Sequence, residues 1–158
     1  MKLGDLLGED RIFTDLQAKD KWDALAQLVD LLIAAGHLRP ELRKPVLGAL
    51  VARERVSSTG LGEGVALPHA TIDGSDEVIA AIGVAPEGIP FESSDALPAR
   101  LLVLLLVPRK SIQLHIKTLA GVAKLLQSRE MREAVRHSRT PREILDILRE
   151  EEDSDPAP

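Results

Sequence analysis

The chain contains no cysteine. Disulfides and thiol chemistry are therefore excluded, and the absence fits a reducing cytoplasm. Aromatic residues make up only 2% of the 158 residues. The core must then be aliphatic, and there is no supply of rings on which single-stranded bases could stack. Positive charge is not in excess: 20 Lys and Arg face 25 Asp and Glu, for a formal net charge of −5, which argues against a nucleic-acid footprint. Long apolar runs are missing too. The longest, Leu101–Pro108, is far short of the roughly 20 residues a membrane-spanning helix needs. The N-terminus, Met1-Lys2-Leu3-Gly4-Asp5, lacks the apolar core of a signal peptide. These absences predict a soluble, cytoplasmic protein with no nucleic-acid partner and no membrane insertion.

What is present suits a single globular domain. Hydrophobic residues are 44% and charged residues 28% of the chain, and this length can bury a sizeable core. A short first strand is predicted at 11–16. Asp20 then reads as the N-cap of a helix to about Ala35, on which Trp22, Leu25, Leu28, Val29, Leu32 and Ile33 repeat at helical spacing. Gly36 stops it. A second helix is expected from about Glu41 to Arg53, with Pro45 near its first turn. Strands are expected at Val65–Pro68, Val78–Ala85 and Arg100–Val107, and Gly88–Phe91 reads as an edge strand or a turn. Residues 101–107 show no alternation, which suits a central strand buried on both faces. Ser111 is read as the N-cap of a helix to about Gln127, followed by a shorter helix at 129–137. A last helix has Thr140 as N-cap and Pro141 at its first position. The fold class is α/β (α+β). Residues 1–150 are expected to form one domain, and 151–158 a disordered acidic tail.

The densest information lies in Arg53-Glu54-Arg55-Val56-Ser57-Ser58-Thr59-Gly60-Leu61-Gly62-Glu63-Gly64-Val65-Ala66-Leu67-Pro68-His69. Gly60, Gly62 and Gly64 allow main-chain N–H groups to approach an anion closely. Pro68 stiffens the backbone before His69 and drives Leu67 towards an extended conformation. An imidazole, a guanidinium and an amide-rich loop together suit the handling of a phosphoryl group, with Ser58 and Thr59 either donating to its oxygens or stabilising the turn. The loop is not a P-loop, because no Gly-Lys-Ser/Thr follows. It is not a dinucleotide fingerprint, because it follows a helix and precedes a strand.

This segment resembles the active-site segment of type-2 enzyme IIA domains of the bacterial phosphoenolpyruvate-dependent sugar phosphotransferase system. These are the fructose/mannitol domains and their nitrogen-type relatives. Arg53, Glu54, Ser58, Thr59, Gly60, Gly62, Gly64, Ala66, Pro68 and His69 all fit the family pattern. The resemblance implies a mixed sheet flanked by helices on both faces. It also implies that His69 is phosphorylated and that Arg53 helps hold the phosphoryl group. The alternative for Arg53 is a plain helix C-cap, and both roles are compatible.

A second histidine, His115, shares a helix face with Leu119, Val122 and Leu126. It matches the family's second signature, in which a histidine sits beside the phosphorylated one; the competing reading is a partly buried core histidine. Two departures stand out. Lys117 occupies a position where many nitrogen-type relatives carry histidine, and Ala70 one where glycine is common. His37 and His137 read as surface residues. His69 and His115 could serve as metal ligands, but no third ligand has a recognisable spacing, so no metal and no cofactor is expected.

The resemblance implies a phosphohistidine carrier, a phosphoryl-transfer component rather than a stand-alone enzyme. The donor would be an HPr-type protein. The onward partner would be an enzyme IIB domain in sugar uptake, or a regulated transporter or kinase if the protein is a nitrogen-type regulator. The absence of an attached IIB, IIC or HPr-like domain leans towards the regulator.

Overall fold

The computed structural model describes Lys2–Ser154. The elements are α1 (Leu3–Leu6), β1 (Ile12–Phe13), α2 (Lys21–Ala34), α3 (Arg43–Val56), β2 (Gly60–Gly62), β3 (Val65–Ala66), β4 (His69–Ile72), β5 (Ile79–Ile89), β6 (Ala99–Pro108), α4 (Ile112–Leu125), α5 (Arg129–Arg136) and α6 (Pro141–Ser154). The six strands form one mixed sheet. β6 is its axis, with β5 antiparallel on one side and β3 then β4 parallel on the other. β1 extends the sheet beyond β5, and β2 beyond β3.

Side chains of β6 alternate between two cores. Leu101, Val103 and Leu105 pack with α1, α4, α5 and α6 through residues such as Leu3, Val122, Met131 and Leu148. Leu102, Leu104 and Leu106 pack with α2 and α3 through Leu25, Leu28, Val46 and Leu50. The unalternating apolar run of this strand follows directly, since both its faces are covered. Helices lie on both faces of the mixed sheet, as the resemblance implied.

Several local expectations hold. The Asp20 carboxylate accepts from the Asp23 N–H at 2.8 Å, capping α2. The Thr140 hydroxyl accepts from the Glu143 N–H at 3.2 Å, and Pro141 opens α6. Others shift. β1 covers two residues of the six expected, although the chain stays close to β5 through the bond from Leu16 N–H to Val84 carbonyl at 2.9 Å. α3 starts after a 3₁₀ turn at Pro40–Leu42 and continues to Val56, one turn past Arg53. Ser111 makes no side-chain cap, because a 3₁₀ turn at Arg109–Ser111 leads into α4 instead. Gly88 and Ile89 belong to β5, beyond an irregularity in its register.

The acidic tail is the clearest revision. α6 runs through Ser154 rather than fraying at 151; residues 155–158 lie outside the described residues. The reason is an anchor absent from any periodicity. The Glu152 carboxylate accepts from the backbone N–H groups of Leu3 at 2.7 Å and Gly4 at 2.8 Å, the unpaired donors at the start of α1. Replacing Glu152 with Ala should lower stability by about 2 kcal/mol, the loss of two charge-assisted hydrogen bonds. Urea unfolding would measure it, and amide exchange at Leu3 and Gly4 should accelerate in the variant.

Candidate functional site

Pro68 divides what would otherwise be one strand beside β6. Val65 pairs with Leu101 and His69 with Leu105, so the offset of 36 residues is the same on both sides of the break. The break removes one ladder donor without slipping the register. Even-numbered positions turn their main-chain groups to β6: the carbonyls of Gly64 and Pro68 accept from Leu101 at 3.1 Å and Leu105 at 3.0 Å. Odd-numbered positions turn theirs outward. The Leu67 N–H finds the Thr59 carbonyl at 3.0 Å, but the Leu67 carbonyl lies past the end of β2 and has no ladder partner.

His69 takes that carbonyl. Its Nδ1 lies 2.9 Å from the Leu67 oxygen. A carbonyl can only accept, so Nδ1 carries the proton and Nε2 keeps its lone pair. The ring is half-buried. Alternation along β3 and β4 turns His69 to the same face as Val65 and Leu67, which belong to the core beneath α4.

His115 lies one turn into α4 on that same side of the sheet. Its Nδ1 is buried and has no hydrogen-bond partner among the described residues. No hydrogen bond joins the two imidazoles. Neighbours of His115 on the helix are exposed and apolar: Leu114 is 76% and Ile116 51% accessible.

Arg53 is placed differently. It belongs to the last turn of α3, which covers the opposite face, and its Nη1 donates to the Ser57 carbonyl at 2.8 Å. The C-cap role is therefore filled. Among the described residues no carboxylate pairs with its guanidinium, which keeps its other N–H groups available.

The glycine segment forms a hairpin rather than an open amide cradle. Gly62 and Gly64, at φ of 82° and 80°, flank Glu63 in the turn between β2 and β3. That turn lies at the Leu101 end of the ladder, away from His69. The Gly60 N–H is occupied by the Ser58 hydroxyl oxygen at 3.0 Å, and that hydroxyl donates to the Phe91 carbonyl. Thr59 is buried, with its hydroxyl and its N–H both bonded to the Glu54 carboxylate, the latter at 2.7 Å. Of the two roles open to Ser58 and Thr59, turn stabilisation is the one this geometry supports.

Glu54 is the residue whose task the motif did not disclose. Only 3% exposed, it ties α3 to the hairpin through Thr59 and faces Lys21, itself 5% exposed, at 3.5 Å. Lys21 also reaches Glu92 at 3.0 Å and lies over the Trp22 ring. The signal in the sequence was an acidic residue five positions before a threonine that opens a glycine hairpin. Glu54→Ala would leave the buried Thr59 N–H and hydroxyl without their acceptor and Lys21 with Glu92 alone, at a cost of about 3 kcal/mol. Lys21→Met should cost less, because the carboxylate keeps both Thr59 donors. Chemical unfolding of both variants checks that order.

Across the hairpin, the Asp95 carboxylate accepts from Glu63 N–H at 2.7 Å and Leu97 N–H at 3.1 Å. The Glu63 N–H, then that of Leu97, holds its pKa below the ordinary aspartate value. The contribution of such a group is fully present above its unfolded-state pKa and is lost as pH falls through the lowered native one. Unfolding midpoints of wild type and Asp95→Asn should therefore differ most at neutral pH and converge in acid.

The comparisons agree with this architecture. The family model "Phosphoenolpyruvate-dependent sugar phosphotransferase system, EIIA 2" matches residues 5–151, and the chain belongs to that family. It is 33% identical over 130 residues to the fructose-specific EIIA component of Haloferax volcanii, covering 82% of this chain and 83% of the relative. It is 30% identical over 148 residues to a nitrogen regulatory protein of Bradyrhizobium diazoefficiens, covering 94% and 95%. It also matches the fructose-specific EIIABC component of Bacillus subtilis at 30% identity over 94% of this chain, but spans only 23% of that longer protein. The crystal structure of nitrogen regulatory protein IIA-Ntr from Neisseria meningitidis superposes with a TM-score of 0.83 at 29% identity, covering 92% of this chain and 98% of that one. Enzyme IIA mannitol of Escherichia coli, solved in complex with phosphorylated enzyme IIB mannitol, superposes at 0.74 with 25% identity, covering 91% and 97%. No helix among the described residues is long and apolar enough to cross a membrane.

Proposed function

We propose that the protein is a cytoplasmic phosphohistidine carrier of the nitrogen-type regulatory kind, accepting a phosphoryl group on His69 Nε2 from an HPr-type donor. The observation that carries this reading is the bond from His69 Nδ1–H to the Leu67 carbonyl. It fixes the tautomer with the lone pair on Nε2, on a ring that is half-accessible and held by a proline-stiffened backbone. A neutral imidazole is a competent nucleophile near neutral pH.

In the transfer, the Nε2 lone pair attacks phosphorus as the donor's N–P bond breaks, and that electron pair returns to the donor's imidazole. Retaining the Nδ1 proton gives phospho-His69 imidazolium character, which favours onward release of the phosphoryl group. His115, with its unpartnered Nδ1, and Arg53, with uncommitted N–H groups, are the residues assigned to charge stabilisation in transfer. Leu114 and Ile116 give the surface beside His115 the apolar character a docking carrier protein needs. The phosphoryl group brings about −1.5 to −2 charges, partly offset by the imidazolium, so the surface still gains net negative charge and a regulated transporter or kinase docked there would favour the unphosphorylated form.

The fructose-specific relatives keep a second reading in play, in which the phosphoryl group passes to an enzyme IIB during sugar uptake. One experiment addresses both. Incubation with labelled phosphoenolpyruvate, enzyme I and an HPr-type carrier should add one acid-labile phosphoryl group, with none on His69→Ala. His115→Ala should still be labelled at His69, and Arg53→Ala should slow labelling by up to about 10³-fold. Label retained by His69→Ala would overturn the assignment. Rapid loss of label to a IIB domain would favour sugar uptake over regulation.

A further inference from the structure

Val65 of β3 and Arg100 and Leu101 near the start of β6 open on a cleft of about 890 Å³. It is separate from the site above. Val65 is the register partner of Leu101, whereas His69 pairs with Leu105, roughly 13 Å further along the strand at about 3.3 Å per residue. His69, Arg53 and His115 do not line it.

Four guanidiniums do: Arg100, Arg129, Arg132 and Arg136, against the carboxylates of Glu63 and Glu133. This concentration of positive charge sits on a chain whose net charge is −5. Arg100, Arg129 and Arg136 have no ion pair or side-chain hydrogen bond among the described residues. Arg132 is the most enclosed, its side chain 17% exposed. Its Nη1 donates to the Leu126 carbonyl at 2.9 Å, while Nη2 comes no nearer to Glu63 than 3.9 Å. A partly enclosed guanidinium with one nitrogen bonded to a carbonyl and the other without a close acceptor can still take an oxyanion on that second nitrogen.

The rest of the lining narrows the chemistry. Val84 and Val135 are apolar, so the cleft suits an organic body rather than a bare ion, and Thr14, Gln127 and Ser138 supply neutral hydrogen-bonding side chains. The volume is that of a small-molecule site. Several guanidiniums on one cleft favour phosphate over a single carboxylate, because a dianion with three terminal oxygens satisfies more N–H donors. We propose that this cleft binds a small phosphorylated polyhydroxy compound, with the phosphate on the arginines and hydroxyls on Thr14, Gln127 and Ser138.

Calorimetric titration of the full chain with glucose 6-phosphate, glucose and citrate tests this. Glucose 6-phosphate should bind, and glucose should not. The exposed pair Arg100→Gln/Arg136→Gln should weaken binding by about tenfold or more. Arg132→Gln should do the same, with circular dichroism confirming the fold. His69→Ala should bind as wild type does, which separates this cleft from the phosphoryl-transfer site. Undetectable heat at millimolar glucose 6-phosphate, equal binding of glucose, tighter binding of citrate, or unchanged affinity in the arginine variants would each overturn the proposal.

Discussion

Burial of β6 on both faces is the constraint on which the rest of this structure depends. Residues 101–107 have no solvent-facing side, so each helix layer must be complete for the strand to be stable there. β3 and β4 attach to it as a parallel ladder, and the constant offset of that ladder fixes where His69 falls. A one-residue slip would carry His69 to the α2–α3 face. The placement of the histidine is thus set by aliphatic packing several residues away from it, not by polar contacts of its own.

A second constraint works at right angles to the first. The buried Lys21–Glu54 pair and the Thr59 donors join α2, α3 and the hairpin into one unit. Buried ion pairs are poor sources of net stability. Here the geometry assigns a different benefit: the carboxylate specifies how α3 hands the chain to β2. Since Arg53 is the residue before Glu54, locking Glu54 also locks the turn of helix from which Arg53 extends.

Much of this was legible in the chain itself. The unalternating run at 101–107 announced a central strand, and Asp20, Thr140 and Pro141 announced their helix starts, because each signal rests on local geometry or on burial of both faces. The motif from Arg53 to His69 identified the family. What could not be read was long-range pairing. Glu152 looks like one more acid in a charged tail; nothing local says that it caps α1. The glycines promised an anion cradle, but the Gly60 amide is taken up by Ser58, and Gly62 and Gly64 lie in a hairpin turn at the end of the ladder away from His69. Glycine spacing reports permissive backbone, and only strand register reveals what that backbone faces. The arginine cleft was invisible for the same reason, since Arg100 and Arg129 are distant in sequence and meet only across the fold.

Pro68 shows how one residue can set the chemistry of its neighbour without touching a substrate. In an uninterrupted strand bordered on both sides, the carbonyl of Leu67 would be consumed by a ladder bond. Here β2 ends first, so that carbonyl is left facing outward with its acceptor capacity intact. A buried or half-buried carbonyl without a donor is costly, and the Nδ1–H of His69 is the donor within reach. The bond relieves the backbone and selects one tautomer in the same step. An imidazole in free solution divides its proton between two nitrogens. Strand geometry removes that ambiguity before any partner arrives and leaves the lone pair on Nε2.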